Sequence, residues 1–419
     1  MAHVMSIGTY LPPWDAGGRR VAGPDEDALT MAVAAGRAAD PKASAKRVVM
    51  VSRNFPLLEG GNAAVLLAGL SLSADVQVSE VLGGAPATLD QIVEAAAGTL
   101  VVAADHSPAA VGAAAVLIGD GAGATVSPLT RRSRSLPVQI RSDDGSRRTY
   151  TDPRLQREVG VKSTLKQLGL AHNQPVVVAA GTKASQLGSG FDAFGAIEDP
   201  VSSSSGVIRL IAEAIDSGAT GVVLAVEQAS VTAAQLTAGA ARIARDEQTS
   251  RRLPTLRVAD GVGIPISLAS YARAFDPKLR WEAATFEARP GIDATPLFPP
   301  RVRVESNGTL AADYKLQPLP RTGTVYTYAT VRVPVPDLPS PYTLAVIQLD
   351  GSAVRVLLKV TGVEANGIAF GQSGTVVLRK IASRSGVPDY GYMFWPGKTA
   401  VSAAEGADGI GNVALSAPG

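Results

Sequence analysis

The most informative stretch of the chain is EVLGGAPATLDQ, residues 80–91. It follows the apolar residues 63–78 and leads into the alanine-rich helical pattern of residues 89–97, so Gly83 and Gly84 fall at the entrance of a helix. A helix N-terminus gathers unpaired backbone N–H groups and the positive end of the helix dipole, and many enzymes place a nucleophile or an anion there. Here two glycines occupy that place, so the entrance carries no reactive side chain.

The length and charge of the chain limit what it can be. A chain of 419 residues is expected to form two or three domains with a substantial core. The net charge is only +2 with neutral histidines, and the basic residues are scattered apart from short clusters at residues 131–134 and 146–148. Because phosphate binding by a nucleic-acid-binding protein needs a dense basic face, nucleic acid is not expected as a partner.

The chain contains no cysteine, which excludes disulfides, thiolate metal sites and cysteine nucleophiles. Its three histidines are His3, His106 and His172, and we expect the first and last of these to be solvated. No apolar run of about 18 residues suggests a membrane span, and the N-terminus lacks the layout of a signal peptide. We therefore expect a soluble, cytoplasmic protein that does not bind membranes.

Helical and strand patterns alternate through the first 237 residues, in two rounds separated by the polar residues 127–151. This repetition predicts two related α/β halves, each with a parallel-sheet core packed by helices. The predicted helices of both rounds are residues 27–39, 62–72, 89–97, 153–170 and 206–217, and the predicted strands are residues 6–11, 48–51, 100–104, 114–118, 175–180 and 221–226.

The composition changes after residue 237. Residues 238–256 are charged and predicted to be helical, residues 264–286 are predicted to carry a further helix, and residues 289–300 hold four prolines. The remaining chain has short apolar runs separated by turn residues, a spacing that predicts a small β-barrel. The predicted barrel strands are residues 323–333, 342–349, 354–361 and 375–381.

Several patches together resemble a known superfamily. SIGTYLPPW at 6–14, GPDEDALTMAVAAGRAA at 23–39 and LIGDGAGATV at 117–126 resemble the thiolase superfamily, most closely the archaeal-type 3-hydroxy-3-methylglutaryl-CoA synthases. LFPPRVRV at 297–304, GTVYTYATVRVP at 323–334 and PDYGYMFWPG at 388–397 resemble the OB-fold domain that accompanies thiolase-like proteins.

This resemblance implies a fold class and a domain order. The fold is an α/β, five-layered αβαβα core of two related halves, residues 1–130 and 131–237, followed by a helical linker at 238–300 and an OB-fold barrel at 301–419. It also implies a homodimer that binds acyl-CoA or acyl-carrier-protein thioesters. An active thiolase-like subunit is a further possible partner.

The resemblance also implies where catalytic residues belong, and this chain departs from the pattern at each position. The nucleophilic cysteine of condensing enzymes falls on residues 82–86, with Gly83 in its place, and the histidine expected near Val178 is absent. The asparagine loop falls on residues 198–205, with Asp199 closest to the asparagine, and the synthase glutamate belongs near residues 52–54.

The OB-fold domain usually carries two CxxC pairs that bind zinc. Residues 302–316, which match that segment, have no cysteine, so no zinc is expected. Because the catalytic positions described above are also changed, the Cys-His-Asn site is degenerate, and chemistry through an acyl-cysteine is ruled out.

Some residues could still carry chemistry. His106 directly follows the predicted strand at 100–104 and could act as a general base; the alternative is a surface or subunit-interface histidine. Asp199 with the serine run Ser202, Ser203, Ser204 and Ser205 could line a thioester pocket and hydrogen-bond the acyl carbonyl; the alternative is a serine cap on the following helix.

Two further pairs of side chains are candidates. Tyr390 and Tyr392 could serve as acid or base, as tyrosines can in thiolase-like aldolases that act with an OB-fold partner; the alternative is packing within the barrel or between domains. Arg131 and Arg132 could attract the phosphates of CoA or of a carrier protein; the alternative is a solvated loop.

Two functional hypotheses follow. In the first, the protein binds an acyl thioester between Gly83, Gly84 and the serine loop and catalyses acyl transfer or aldol-type C–C chemistry without a covalent cysteine intermediate. In the second, it is a non-catalytic scaffold or partner of an active thiolase-like enzyme. The first hypothesis predicts that Gly83, Asp199 and His106 surround one pocket.

Overall fold

The computed structural model describes residues 1–58, 61–121, 123–134, 139–144, 146–149, 152, 154, 160–170, 173–228, 230–263, 268–334, 336–384 and 386–400. His172 lies outside these ranges, as do parts of the predicted helices at 153–170 and 264–286. In the described part of the chain, no helix is long and apolar enough to cross a membrane.

The first half of the core alternates strands and helices as its sequence predicts. Asp27 caps the first long helix by accepting a hydrogen bond from the Thr30 backbone N–H at 2.9 Å, and Gly84 is the N-cap of the third helix. The elements of this half are β1 (Ala2–Leu11), β2 (Trp14–Ala16), β3 (Arg19–Val21), α1 (Ala28–Ala39), β4 (Arg47–Ser52), α2 (Asn62–Leu70), β5 (Gln77–Leu82), α3 (Ala85–Glu94), β6 (Thr99–His106) and β7 (Val111–Gly119).

The second half repeats this order of strands and helices. The elements that the structure describes there are β8 (Ala124–Ser133), β9 (Gln139–Arg141), β10 (Arg147–Thr149), α4 (Val161–Lys166), β11 (Gln174–Ala180), a 3-10 turn (Ala184–Gln186), β12 (Phe191–Asp192), β13 (Ile197–Asp199), α5 (Gly206–Asp216), β14 (Gly221–Val226) and β15 (Ser230–Thr237).

The two halves share one strand order, which confirms that they are related. The first half runs β5-β4-β6-β7-β1 and the second runs β13-β11-β14-β15-β8, so each half has its third, second, fourth, fifth and first main strands in that order. The fifth strand is antiparallel to its neighbours in both halves. The halves join where β1 pairs antiparallel with β8.

Helices and sheets alternate in five layers. Successive side chains of a strand point to opposite faces, and in β4 Val49 packs with α3 and α5 whereas Val48 packs with α1 and α2. In β14, Val223 packs with the same central helices and Val222 packs with α4. Three apolar cores thus fill the interfaces between five layers, since the central core lies on both sides of α3 and α5. The layers are α1 with α2, the strands of the first half, α3 with α5, the strands of the second half, and α4, as the predicted αβαβα fold requires.

The segment after the second half corrects one prediction. The helix predicted over residues 238–256 is wrong, and so is the description of residues 238–300 as a helical linker, because this segment contains several strands. The elements within it are β16 (Arg242–Glu247), β17 (Arg251–Arg252), α6 (Leu268–Arg280) and β18 (Glu282–Thr285), and the elements between it and the barrel are β19 (Arg303–Val304), β20 (Leu310–Ala311) and β21 (Lys315–Pro318).

The reason for the error is tertiary pairing. β8 pairs with β1 only over residues 2–4, which leaves the backbone N–H and C=O groups on that side of β1 open from Ser6 to Leu11. β16 pairs in parallel with β1 over these residues. Because buried backbone groups need hydrogen-bond partners, this edge favours a strand over the local helical preference.

The predicted barrel is confirmed, and it packs on the outer helix layer. Its strands are β22 (Thr322–Val331), β23 (Tyr342–Leu349), β24 (Arg355–Val360), β25 (Ser373–Arg384) and β26 (Val387–Pro396), closed in the order β22-β23-β24-β26-β25. Barrel residues such as Ile347 and Phe394 share one apolar core with Leu29 and Leu66 of the outer helices. The predicted domain bounds at residues 130, 237 and 300 stay predictions.

Candidate functional site

The entrances of α3 and α5 meet in the central layer. The Ser204 hydroxyl donates a hydrogen bond to the Gly83 carbonyl at 2.8 Å, and the Thr88 hydroxyl donates to the Ser204 carbonyl at 2.9 Å. The glycine pair and the serine loop, which are 121 positions apart at this contact, therefore lie together as the thiolase-like arrangement predicts.

Asp105 holds the serine loop from the end of β6. Its side chain is 5% exposed and accepts hydrogen bonds from the backbone N–H groups of Ser204 (2.7 Å) and Ser205 (2.8 Å) and from the Ser205 hydroxyl (2.6 Å). Ser203 accepts a hydrogen bond from the Gly206 N–H at 3.1 Å. Asp105 and Ser203 thus accept the hydrogen bonds at the entrance of α5, whereas the N-cap residue Ser205 makes no side-chain capping bond to the helix.

An ion pair fills the entrance of α3. The Arg53 guanidinium donates to the Glu227 carboxylate, and the two side chains are 27% and 13% exposed. A Cβ atom placed on Gly84 would lie 2.5 Å from Glu227 Oε2 and 2.6 Å from Arg53 Nη2, and one on Gly83 would lie 2.4 Å from the Ala87 Cβ. The glycines therefore make room for these protein atoms at the entrance of α3.

The sequence patterns pointed to the glycines and serines of this site but not to Arg53, Glu227 or Asp105. Arg53 lies within residues 52–54, where the resemblance implies a catalytic glutamate, and Glu227 directly follows the buried strand β14. Asp105 directly precedes His106 at the end of β6. All three are charged residues at the end of a buried strand, and this was the available signal in the sequence.

Asp199 lies beside the serine loop, at the end of β13. Its carboxylate accepts a hydrogen bond from the Val201 N–H at 2.9 Å, and its carbonyl accepts one from the Gly181 N–H at 2.7 Å. A Cβ atom on Gly206 would lie 3.3 Å from Asp199 Oδ2. Ser202 is exposed, unlike the three serines that follow it.

His106 does not join this cluster. It is adjacent to Asp105 in β6, so the two side chains point to opposite faces of the sheet. The charges that act on the imidazole are those of Asp27 and Lys380, on the barrel side of the sheet. His106 is exposed as a whole, but partial desolvation of its ring lowers the pKa, and Asp27 opposes the shift. The pocket predicted around Gly83, Asp199 and His106 is therefore not formed, because strand alternation separates the histidine from the other two.

Tyr390 and Tyr392 lie at the contact between barrel and core. The buried Tyr390 hydroxyl donates to Asp27 at 2.7 Å, and the Tyr392 hydroxyl donates to the Leu279 carbonyl at 2.7 Å and accepts from Arg321 at 3.0 Å. Burial and the neighbouring Asp27 raise the Tyr390 pKa. Both hydroxyl protons are engaged in these contacts, which correspond to the packing alternative.

Arg131 and Arg132 lie in β8, away from the α3 entrance. Arg131 pairs with Glu94, the last residue of α3, at 3.0 Å, and approaches Asp90 at 3.9 Å. Ten residues of helix span about 15 Å, so this pair lies at the opposite end of α3 from Gly84. Arg132 is exposed.

The segment where the resemblance implies a zinc ribbon does not have the residues to bind a zinc ion. It lacks thiolates, and ion pairs hold its hairpins instead. Arg289 pairs with Glu305 and Asp313, each at 2.6 Å, and Arg303 pairs with Asp293 at 2.9 Å. The small apolar core beside these pairs contains Ala284, Phe286 and Ala311, with Leu297 and Tyr314 against it.

The repeated strand order and the five layers define a thiolase-like fold, and the closed five-stranded barrel that follows is an OB-fold. Residues 316–379 match the protein family described as "ChsH2, C-terminal OB-fold domain". No curated protein matches the chain in sequence.

Solved structures similar to the chain are thiolase-like condensing enzymes. 3-Oxoacyl-[acyl-carrier-protein] synthase III of Aquifex aeolicus is 13% identical over 57% of this chain and 100% of that chain, with a TM-score of 0.45. A variant of OleA from Xanthomonas campestris is 15% identical over 56% and 98%, with a TM-score of 0.45. PksG, an HMG-CoA synthase from Bacillus subtilis, is 15% identical over 57% and 79%, with a TM-score of 0.44. The fold assignment rests on the strand order of the chain itself.

Proposed function

We propose that this protein acts beside acyl-CoA or acyl-carrier-protein thioesters as a non-catalytic partner of an active thiolase-like subunit. The observation that carries the proposal is the Arg53–Glu227 ion pair, which occupies the α3 entrance in front of Gly84. The proposed role beside thioesters is supported by the thiolase-like core, by the sequence resemblance at residues 117–126 and by the OB-fold domain at residues 316–379.

The hydrogen bonds around the entrance support a non-catalytic role. Polarising a thioester carbonyl requires N–H or O–H donors that point at the ligand and are not already engaged. Here the N–H groups of Ser204 and Ser205 and the Ser205 hydroxyl bind Asp105, and the Gly83 N–H binds the Ser52 carbonyl at 3.3 Å. These donors would have to break protein contacts before they could stabilise an oxyanion.

The test measures thioester cleavage and the formation of a complex with an active subunit. The purified chain is assayed for cleavage of acetyl-CoA and acetoacetyl-CoA, alone and mixed with a thiolase-like subunit of the same organism that retains Cys, His and Asn. We expect no cleavage by the chain alone and a stoichiometric complex with that subunit in analytical ultracentrifugation. The same run measures whether the chain alone is the homodimer that the resemblance implies.

A second candidate function is cysteine-independent acyl transfer or aldol-type C–C chemistry. The observation that favours it is the position of the Glu227 carboxylate at the α3 entrance, where a carboxylate could act as a general base if Arg53 moved away. If the chain alone cleaves thioesters, and Glu227→Gln loses this activity while the exposed control Glu213→Gln keeps it, the partner proposal is wrong and the catalytic one holds.

A further inference from the structure

A second site lies at the contact between the outer helix layer and the barrel, away from the α3 entrance. A cavity of about 90 Å³ opens here between α1 and β25. A buried water needs only about 10–15 Å³ of such space, so the cavity has room for a larger polar group. Its polar lining includes Thr30, Arg37, Arg321, Thr375 and Lys398.

Two guanidinium groups converge at this cavity. Arg37 of α1 and Arg321, which precedes β22, both donate to the Ser71 hydroxyl, at 3.1 and 3.2 Å. They also donate to the last carbonyls of α2, Arg37 to Gly69 at 3.4 Å and Arg321 to Ala68 at 3.2 Å. A shared acceptor keeps the two cations close together at the C-terminus of a helix.

The negative charge around these arginines is too small to neutralise them. Among the residues that the structure describes, no carboxylate is hydrogen-bonded to Arg37 or Arg321, and Asp246, which also lines the cavity, is paired with Lys398. The C-terminus of α2 supplies about half a negative charge. Burial and the repulsion of Arg321 lower the Arg37 pKa to about 9.

We propose that this cavity binds a phosphate group through the guanidiniums of Arg37 and Arg321. Two arginine forks match the geometry and the double charge of a phosphate better than they match a single carboxylate. The group comes either from free inorganic phosphate or from the phosphates of CoA. Arg37 belongs to the core, and Arg321 contacts Tyr392 of the barrel at 3.0 Å, so a bound phosphate strengthens the contact between the two domains. The inference does not depend on the proposed function.

The experiment is a calorimetric titration and a thermal-unfolding series on the full chain with inorganic phosphate, 3′,5′-ADP, CoA and dephospho-CoA. We expect saturable binding of at least one of them, with a rise in Tm that grows with ligand concentration. Arg37→Gln and Arg321→Gln should each weaken binding at least tenfold. The control Arg355→Gln removes an exposed barrel arginine, which stacks on Tyr326, and should leave binding unchanged.

The set of ligands distinguishes the source of the phosphate. Binding of CoA without binding of inorganic phosphate identifies CoA as the source. Arg321 also supports α2 and Tyr392, so the charge-preserving Arg37→Lys serves as a second variant if Arg321→Gln fails to fold. We expect Arg37→Lys to bind more weakly than wild type and more tightly than Arg37→Gln. Absence of saturable binding to wild type, or an equal loss in the Arg355 control, would overturn the proposal.

Discussion

Replacing Asp105 with alanine tests how the two helix entrances are held together. The Asp105 carboxylate is 5% exposed and accepts three hydrogen bonds of 2.6–2.8 Å from Ser204 and Ser205. The substitution leaves two buried N–H groups without an acceptor, at a cost of about 1 kcal/mol each at the low end of the usual range, because water can enter the space. The loss of the bond to the Ser205 hydroxyl adds about 1 kcal/mol. We therefore expect the free energy of unfolding to fall by about 3 kcal/mol.

The assay is urea unfolding followed by far-UV circular dichroism, combined with amide hydrogen exchange of residues 203–206. We expect the midpoint to shift with little change in slope, and the amides of Ser204 and Ser205 to lose protection first. The control Asp120→Ala removes an exposed carboxylate between β7 and β8 and should change the stability by less than about 0.5 kcal/mol. A loss below about 1 kcal/mol for Asp105→Ala, with the serine amides still protected, would refute the reasoning.

Two predictions concern the contact between core and barrel. Tyr390→Phe removes a buried hydrogen bond to Asp27 and should cost about 1–2 kcal/mol in thermal unfolding at neutral pH. Because the Tyr390 pKa is raised, this contribution is complete below the unfolded pKa of about 10 and is lost as pH rises beyond it; an equal gap between variant and wild type at all alkaline pH values would contradict this. Because the His106 pKa is lowered, its neutral form contributes stability above about pH 6.5 that is lost as pH falls, so His106→Gln should be less sensitive to acidification from pH 7 to pH 5; an unchanged sensitivity would show that the surroundings of this exposed residue do not lower its pKa.

Most of the fold could be predicted from the sequence, because its signals are local. Apolar runs such as residues 48–51 and 221–226 became buried strands β4 and β14, and the alternating pattern of residues 342–349 became barrel strand β23. The strand β16 could not be predicted this way, since its charged sequence resembles a helix and only the open edge of β1 makes it a strand.

The site was predicted in part. The resemblance implied that Gly83 and the loop carrying Asp199 belong to one site, and the structure brings Gly83 into contact with Ser204 and Asp199 beside Gly206. The position of His106 was not predictable without the strand register, since a shift of one residue reverses the face to which a side chain points. The tyrosines of β26 could be placed only once the barrel was docked on α1.

The sequence by itself determined the class of most elements, the two related halves, the barrel and the absence of cysteine chemistry, because periodicity and residue identity are properties of neighbouring residues. Only the tertiary structure decided what occupies the entrance of α3 and what caps α5. Arg53 and Glu227 are 174 positions apart, and Asp105 and Ser204 are 99 apart. Hydrogen bonds and ion pairs over such separations depend on how layers stack, and no local pattern encodes them.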